Sequence, residues 1–563
     1  MKPPPTAAMR TDSMSGGATK QVANGRIDRR GFLRGAVGTA TVAGSGTLLA
    51  SCKKSSHDNS NAANTKVELP TWHPFDTARP DLPGDPKLGV QDGYLTAPAH
   101  PARGIKTKPA NGGTVTALVI TYTTPPPALG RNSYWQQLNA RLGAKLQIDI
   151  VPRTNYQQKL ATTIAGGDLP DFLQIFGPVA QLPALLAAKC QDLTKYLSGD
   201  AVKAYPYLAN IPQDFWKSCV YDGAIYGLPV PRSKMGFVLY RRDDLIKPFG
   251  VNSNPTNFVE FRQLCKDITD LKHNRWALAS APLDFVRQML GAANNWTNDG
   301  GKLTNVFEQP EAKQALGAVA DLVKAGYVHP DSFAQDDTTT LKTWFDGGSA
   351  LLLYDNYTAW AGLYSRNTIG ASFAISGILP PNYDDQTTAT PWQGGLDYSF
   401  TALKKNGDSR TKELLAVANY LAAPYGTEES LFLGSGIPGV DYNMVKGVPV
   451  KTDKGTAEVT LSTGYIAQGP SVLAGQYTQA TRDAYALEKK FLPLSISDPT
   501  QGLYSDTNST KGAQLQVAIT AAQNAIMQGH KPLSTWDDAV RSWKTGGGDK
   551  IRHEFEEALQ KSK

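Results

Sequence analysis

Regular structure begins at Thr114-Val115-Thr116-Ala117-Leu118-Val119-Ile120-Thr121-Tyr122. From Val115 to Tyr122 the residues are apolar or β-branched, the pattern of a buried strand. Working outward, Ser133 to Leu142 carries Trp135, Leu138 and Leu142 at helical spacing and stops at Gly143. Lys145 to Val151 alternates Leu146, Ile148 and Ile150 and reads as a second strand. Thr154-Asn155-Tyr156-Gln157 fits a capping box, with Thr154 as N-cap and Gln157 reaching back, and opens a helix to about Ala165. Gly166-Gly167-Asp168-Leu169-Pro170-Asp171 then turns the chain into a third strand, Phe172 to Phe176. A β-α-β-α-β order implies a parallel sheet covered by helices, an α/β fold.

Further helices are expected at Asn257–Leu271, Pro310–Ala325 (Ala312, Leu316, Val319 and Val323 on one face), Thr411–Ala422, around Gly512–Gln528, and at Thr535–Lys544 and Lys550–Lys561. Glu68 to Gly113 holds eight prolines and reads as an extended segment laid over the body, docked by Trp72, Phe75 and Tyr94. Lys53 to Lys66 is polar throughout, which predicts a flexible tether. Before it, Arg29-Arg30-Gly31-Phe32-Leu33-Arg34 precedes a weakly apolar run from Gly35 to Ala50, which stops at Ser51-Cys52. That run is too short and glycine-rich for a lasting membrane span. The layout resembles a twin-arginine signal peptide joined to a bacterial lipobox. The resemblance implies that residues 1–51 are removed and that Cys52 is lipidated, anchoring the protein to the outer face of the cytoplasmic membrane.

The chain has 563 residues with a formal charge of +7. The first 51 carry seven Lys/Arg against Asp12 and Asp28, so the leader accounts for +5 and the remainder for about +2. Without a dense basic cluster elsewhere, no nucleic-acid partner is expected. Besides Cys52 there are Cys190, Cys219 and Cys265, an odd number; Cys190 and Cys219 could pair in an oxidising exterior. No H-E-x-x-H, C-x-x-C or calcium-loop spacing occurs, so neither a metal nor another cofactor is expected.

Three segments point to function together. They are Ala165-Gly166-Gly167-Asp168-Leu169-Pro170-Asp171; Tyr226-Gly227-Leu228-Pro229, followed by Tyr240-Arg241-Arg242-Asp243-Asp244-Leu245; and Phe345-Asp346-Gly347-Gly348-Ser349-Ala350. In this order they resemble the sugar-type (family 1) extracellular solute-binding proteins of bacterial ABC importers, over roughly Gly113 to Lys563. The resemblance implies a two-lobed periplasmic-binding-protein-like fold, each lobe a sheet flanked by helices, joined by a three-crossing hinge. It places the crossings near Val230–Val238, Leu352–Asp355 and Asp397–Leu403. The expected division is 1–51 signal peptide, 52–112 tether and extended segment, 113–231 plus 353–398 lobe one, and 237–351 plus 403–563 lobe two. The implied partners are an oligosaccharide or other small solute and the permease's transmembrane subunits, with the protein itself a monomer.

Ligand sites in open α/β sheets lie at the carboxyl ends of strands. Aromatic faces suit the C–H groups of a pyranose, and Asp, Asn and Arg suit its hydroxyls. The candidate ligand-binding residues are therefore Tyr134, Trp135, Arg232, Trp296, Tyr354, Asp355, Asn356, Trp360, Trp392, Asp397 and Tyr398. Each has a packing alternative: tryptophans are more often core than platform, and Asp355 and Asp397 could be strand-end caps or ion-pair partners. No catalytic residue is expected, since no G-x-S-x-G nucleophile motif occurs. Two other functions stay open at this point: a secreted glycosidase or lyase acting on polysaccharide, and a peptide-binding receptor of the same transport class.

Overall fold

The computed structural model describes residues 61–335, 338–365, 372–395, 397–475 and 477–561. The expected signal peptide and Cys52 lie outside the described residues. Nine strands build two sheets. They are β1 (Thr114–Thr121), β2 (Lys145–Pro152), β3 (Phe172–Ile175), β4 (Leu228–Pro231), β5 (Phe237–Arg242), β6 (Trp276–Leu278), β7 (Ala350–Asn356), β8 (Ile375–Ile378) and β9 (Asp397–Leu403). The first sheet has the order β2-β1-β3-β9-β4 and the second β8-β5-β7-β6.

β1 pairs parallel with β2 and β3, as the β-α-β-α-β pattern requires. β9 enters antiparallel between β3 and β4. Leu118, Val119 and Ile120 are buried on both faces of the central strand. The helix Ser133–Leu142 ends at Gly143 in the left-handed region, φ 68. A Cβ there would meet the Ala110 carbonyl at 2.3 Å, so the strained conformation and the close approach both demand glycine. At its start Asn132 accepts from the Trp135 N–H at 2.8 Å, and Glu458 accepts from the N–H groups of Ser133 and Tyr134. A carboxylate at that end also complements the helix dipole.

The helix Arg153–Gly166 departs from expectation at its start. Pro152 occupies the cap, with no side-chain cap bond. Gln157 donates instead to the Phe176 carbonyl, tying the helix to the end of β3. The end of the expected tether also differs, since Asn61–Asn64 is a helical turn and Asn64 accepts from the Gly223 N–H at 2.9 Å.

Each sheet has its own core. One gathers β1 to β4 and β9 with residues as far as Ala467. The other sheet is buried between two clusters that also hold the helices Thr478–Phe491, Asp506–Met527, Trp536–Trp543 and Asp549–Lys561. The chain therefore crosses at 232–236, again between Ile378 and Asp397, and last along 468–477. This corrects the expected lobe division. β7 does not cross: its residues Leu352 to Asn356 pair with Arg241 to Phe237 of β5, wholly inside the second sheet. Its apolar run marks a central strand buried on both faces, and β8 still follows before the chain returns. Residues 404–467 belong to the first core, because the helix Asp408–Leu421 continues from β9 and packs on that same sheet.

The crossings lie against one another. Met235 bridges Gln393, and the Gly394 N–H donates to the Lys234 carbonyl at 2.9 Å. Ser471, on the third crossing, donates to the Pro231 carbonyl at 3.2 Å.

The extended N-terminal segment straps this arrangement. Phe75 sits edge-on to Tyr207 of the first core at 4.9 Å, and Trp72 Nε1 donates to the Asn210 carbonyl. Further on, the Tyr485 hydroxyl donates to the Pro83 carbonyl, and Gly93–Tyr94 pairs parallel with Leu473–Ala474. Ala102 then bridges Thr427 back in the first lobe. Cys190, Cys219 and Cys265 are all buried free thiols, so the Cys190–Cys219 bridge that the sequence allowed is not formed.

Candidate functional site

A cavity of about 1800 Å³ opens beside the crossings. Its first-lobe wall comes from the loop 123–127 after β1, the region 421–435, and residues 448–468. Its second-lobe wall comes from Tyr357 to Tyr364 after β7 and from the helix Thr478–Phe491. The strap supplies a third wall, from Gln91 to Pro101. Among the described residues, six aromatics line the cavity: Tyr94, Tyr357, Trp360, Tyr364, Tyr425 and Tyr477. Tyr94 and Tyr425 lie 4.4 Å apart, and burial raises both phenols to about 12. They therefore remain neutral donors and acceptors at any physiological pH.

Of the eleven candidate ligand-binding residues, Arg232 and Trp360 line this cavity. Arg232 stands on the first crossing, donates to Gln468 Oε1 at 3.2 Å, and lies over the Tyr398 ring at 4.7 Å. Trp360 is 5% exposed and packs 5.6 Å from Tyr240. Its Nε1 finds no hydrogen-bond partner among the described residues.

An aromatic group adjoins Arg232 at the carboxyl ends of the first sheet. Phe176 stacks on Tyr398 at 4.8 Å, Tyr465 lies 5.2 Å from it, and the Tyr122 and Tyr398 hydroxyls are 2.7 Å apart. Tyr122 is half exposed. Next to Tyr398, Asp397 accepts from the Ser218 hydroxyl. Burial pushes the Asp397 carboxyl up to about 7, against the pull of Ser218 and Arg232. On the second sheet, Tyr354 lies 5.3 Å from the exposed Phe237. Gln288 joins Tyr354 to Trp392, donating to the Tyr354 hydroxyl at 2.8 Å and accepting from the Trp392 N–H.

The remaining candidates serve packing, which corrects the expectation for each. Tyr134 is 1% exposed and donates to the Leu433 carbonyl. Trp135 packs its helix against β2, with Nε1 donating to the Leu146 carbonyl at 2.9 Å. Trp296 is enclosed by Trp543 and Phe555 in the second core. Asp355 is buried and ion-paired with Lys342 at 3.0 Å. Asn356, at the end of β7, accepts from the Thr358 N–H and hydroxyl just beyond it. For all but Asn356, partners distant in sequence claim the side chain.

Sequence reasoning missed Tyr94 as a lining residue and passed over Tyr122, Tyr357, Tyr364, Tyr425, Tyr465 and Tyr477. Only Tyr357 carried a usable signal, since it lies between two candidates in Asn356-Tyr357-Thr358-Ala359-Trp360. Among the described residues, no group of His, Cys, Asp or Glu is placed to hold a metal ion, and no helix is long and apolar enough to cross a membrane.

Two sheets with separate cores, crossings laced side by side and a solute-sized cleft between them define a binding protein of the two-lobed kind. Residues 134–458, more than half of the chain, match the family model for bacterial extracellular solute-binding protein, and the chain belongs to that family. It is 24% identical over 476 residues to the polygalacturonan/rhamnogalacturonan-binding protein YtcQ of Bacillus subtilis (strain 168), covering 79% of this chain and 91% of that one. It is 22% identical over 452 residues to lipoprotein LipO of the same organism, covering 75% of this chain and 87% of LipO. Among solved structures it is similar to the alginate-binding protein AlgQ2, with a TM-score of 0.59 at 17% identity, over 81% of this chain and 99% of that one.

Proposed function

We propose that the protein is a lipid-anchored receptor outside the cytoplasmic membrane, which captures an oligosaccharide between its lobes and delivers it to an ABC permease. The observation that carries this is the cavity of about 1800 Å³, walled by both lobes and lined by aromatic side chains. Pockets for single drug-sized ligands run to roughly 300–1,000 Å³, so this space suits several sugar units. Aromatic faces take up pyranose C–H surfaces while the hydroxyls of threonine and serine lining residues bond the sugar's rim. Arg232 and Trp360, with Tyr357 and Tyr425, form the proposed contact set, and Tyr398 with Tyr122 an adjoining platform. A solute touching both walls favours the closed arrangement by its differential affinity for it, with the crossings as hinge. The names of YtcQ and AlgQ2, which bind polysaccharides, support a carbohydrate solute.

We place residues 1–51 as a twin-arginine signal and Cys52 as the lipidated residue; the likeness to a lipoprotein supports the anchor. Cys52→Ala is expected to release the protein from the membrane fraction. The function is tested by tryptophan fluorescence and calorimetry with intact oligosaccharides and short peptides side by side, followed by analysis of the sugar. Saturable binding of a sugar recovered unchanged is the expected result. Turnover of the sugar, or selective binding of peptide, would overturn it.

A further inference from the structure

We infer that the solute is an acidic oligosaccharide, a uronate, whose carboxylates pair with Arg131, Arg232 and Lys451; this rests on the saccharide reading above. The described residues lining the cavity include these three cations and no aspartate or glutamate. None of the three forms an ion pair among the described residues, although ion pairs are common elsewhere in the chain, as in Lys159–Asp149, Arg410–Asp171 and Arg552–Glu308.

The acids nearest in effect are occupied behind the wall. Burial lowers the Lys451 pKa, and Asp441, itself fully buried and accepting from the Ile437 N–H at 2.8 Å, opposes that shift and favours the charged form. Asp397, which acts on Arg232, is held by the Ser218 hydroxyl. A concave, low-dielectric wall with charge of one sign focuses a positive potential into the cleft and draws in anions.

The cations sit on separate elements. Arg131 ends the short turn Leu129–Arg131 before the helix Ser133–Leu142, Lys451 ends the strand Val448–Lys451, and Arg232 lies on the first crossing. The three lie on separate elements of the lining, an arrangement that a chain with an anionic group on successive sugars can meet together. Guanidinium groups suit planar carboxylates through paired N–H donors, and lysine adds a point charge.

The test is calorimetry on the full chain with three probes at low and high salt: an oligogalacturonate, its fully methyl-esterified form, and a sulfated oligosaccharide. The expected result is binding of the oligogalacturonate, at least ~tenfold loss on esterification, and weakening by salt, as charge-assisted pairing predicts. Arg131→Gln and Lys451→Gln, both at exposed positions, should each weaken the acid several-fold while leaving the melting curve unchanged. Binding of the sulfated probe alone would overturn the carboxylate assignment. Equal or tighter binding of the ester, or unchanged oligogalacturonate affinity in both variants, would overturn the anionic reading while leaving a saccharide receptor in place. Failure of all three probes and of neutral oligosaccharides would instead overturn the saccharide reading itself.

Discussion

Replacing Glu488 by glutamine is expected to flatten the pH dependence of stability. Glu488 is fully buried where three parts of the chain converge. It accepts from the Gln91 N–H of the strap at 2.9 Å and from the Ser233 hydroxyl of the first crossing at 2.8 Å, and it belongs to the helix Thr478–Phe491. Burial pushes its carboxyl up to about 7 from 4.5, against the pull of Gln91, Ser233 and Tyr357. A carboxyl raised in the folded state binds its proton more tightly there than in the unfolded chain. Stability is therefore greatest at low pH and declines as pH rises from the unfolded value through the folded one. Integrating between pH 5 and pH 8 gives a loss of roughly 2.5 kcal/mol from this one group. Glutamine keeps one acceptor and cannot ionise, so it costs about 1 kcal/mol for the weakened hydrogen bond at every pH and removes that slope. Asp397 titrates in the same window and remains in the variant, so the difference between the two profiles isolates Glu488. Chemical denaturation at a series of pH values reads it directly. Parallel profiles for the wild type and Glu488→Gln would refute the reasoning and show that the site is wetter than its burial implies.

Gly236→Val should destabilise by about 1–3 kcal/mol, because a Cβ there meets the Trp392 carbonyl at 2.6 Å and forces two crossings apart; denaturant unfolding checks it. Trp135→Ala and Trp296→Ala should each cost about 3–5 kcal/mol as core truncations, with sugar affinity of the folded fraction unchanged; lost affinity at full stability would return either residue to the binding site. Thiol titration of a Cys52→Ala chain should find no reactive group while folded and three after unfolding, since Cys190, Cys219 and Cys265 are buried and unpaired.

The local elements were legible because their signals are local. The helix Ser133–Leu142 and its stop at Gly143 follow from apolar spacing and one glycine, the first strand from its apolar, β-branched run and the second from its alternation. The partner of that helix's first turn was not legible: Glu458 stands more than three hundred residues away in sequence, and nothing near it announces a cap. The second crossing was misplaced for a related reason. Leu351, Leu352 and Leu353 show that a strand is buried, and burial on two faces is common to every central strand of either sheet. Which sheet a strand joins is fixed by pairing, here with β5, and pairing leaves no periodicity behind. The tyrosines lining the cavity escaped notice because no spacing relates them; the lobes and the strap bring them together from four separate segments.

Arg232 shows what kind of cavity-lining side chain a sequence can disclose. Tyr134 and Trp135 were selected because they follow the loop after a strand, a correct statement about position along the chain. Helical geometry then turns both inward, since Trp135 shares a face with Leu138 and Leu142, and that face is the one the sheet buries. A crossing segment has no such face. At Arg232 the chain has left β4 of the first sheet and has not yet reached Met235, which packs in the second core, so a long polar side chain there has the space between the lobes as its natural outlet. Arg232 takes that outlet, and its guanidinium touches Gln468 of the third crossing while covering Tyr398 at the end of the first sheet. A contact of the proposed solute with Arg232 would thus be felt at once by two crossings and by the aromatic platform. That arrangement is what a receptor needs if occupancy of the cleft is to bias the angle between its lobes.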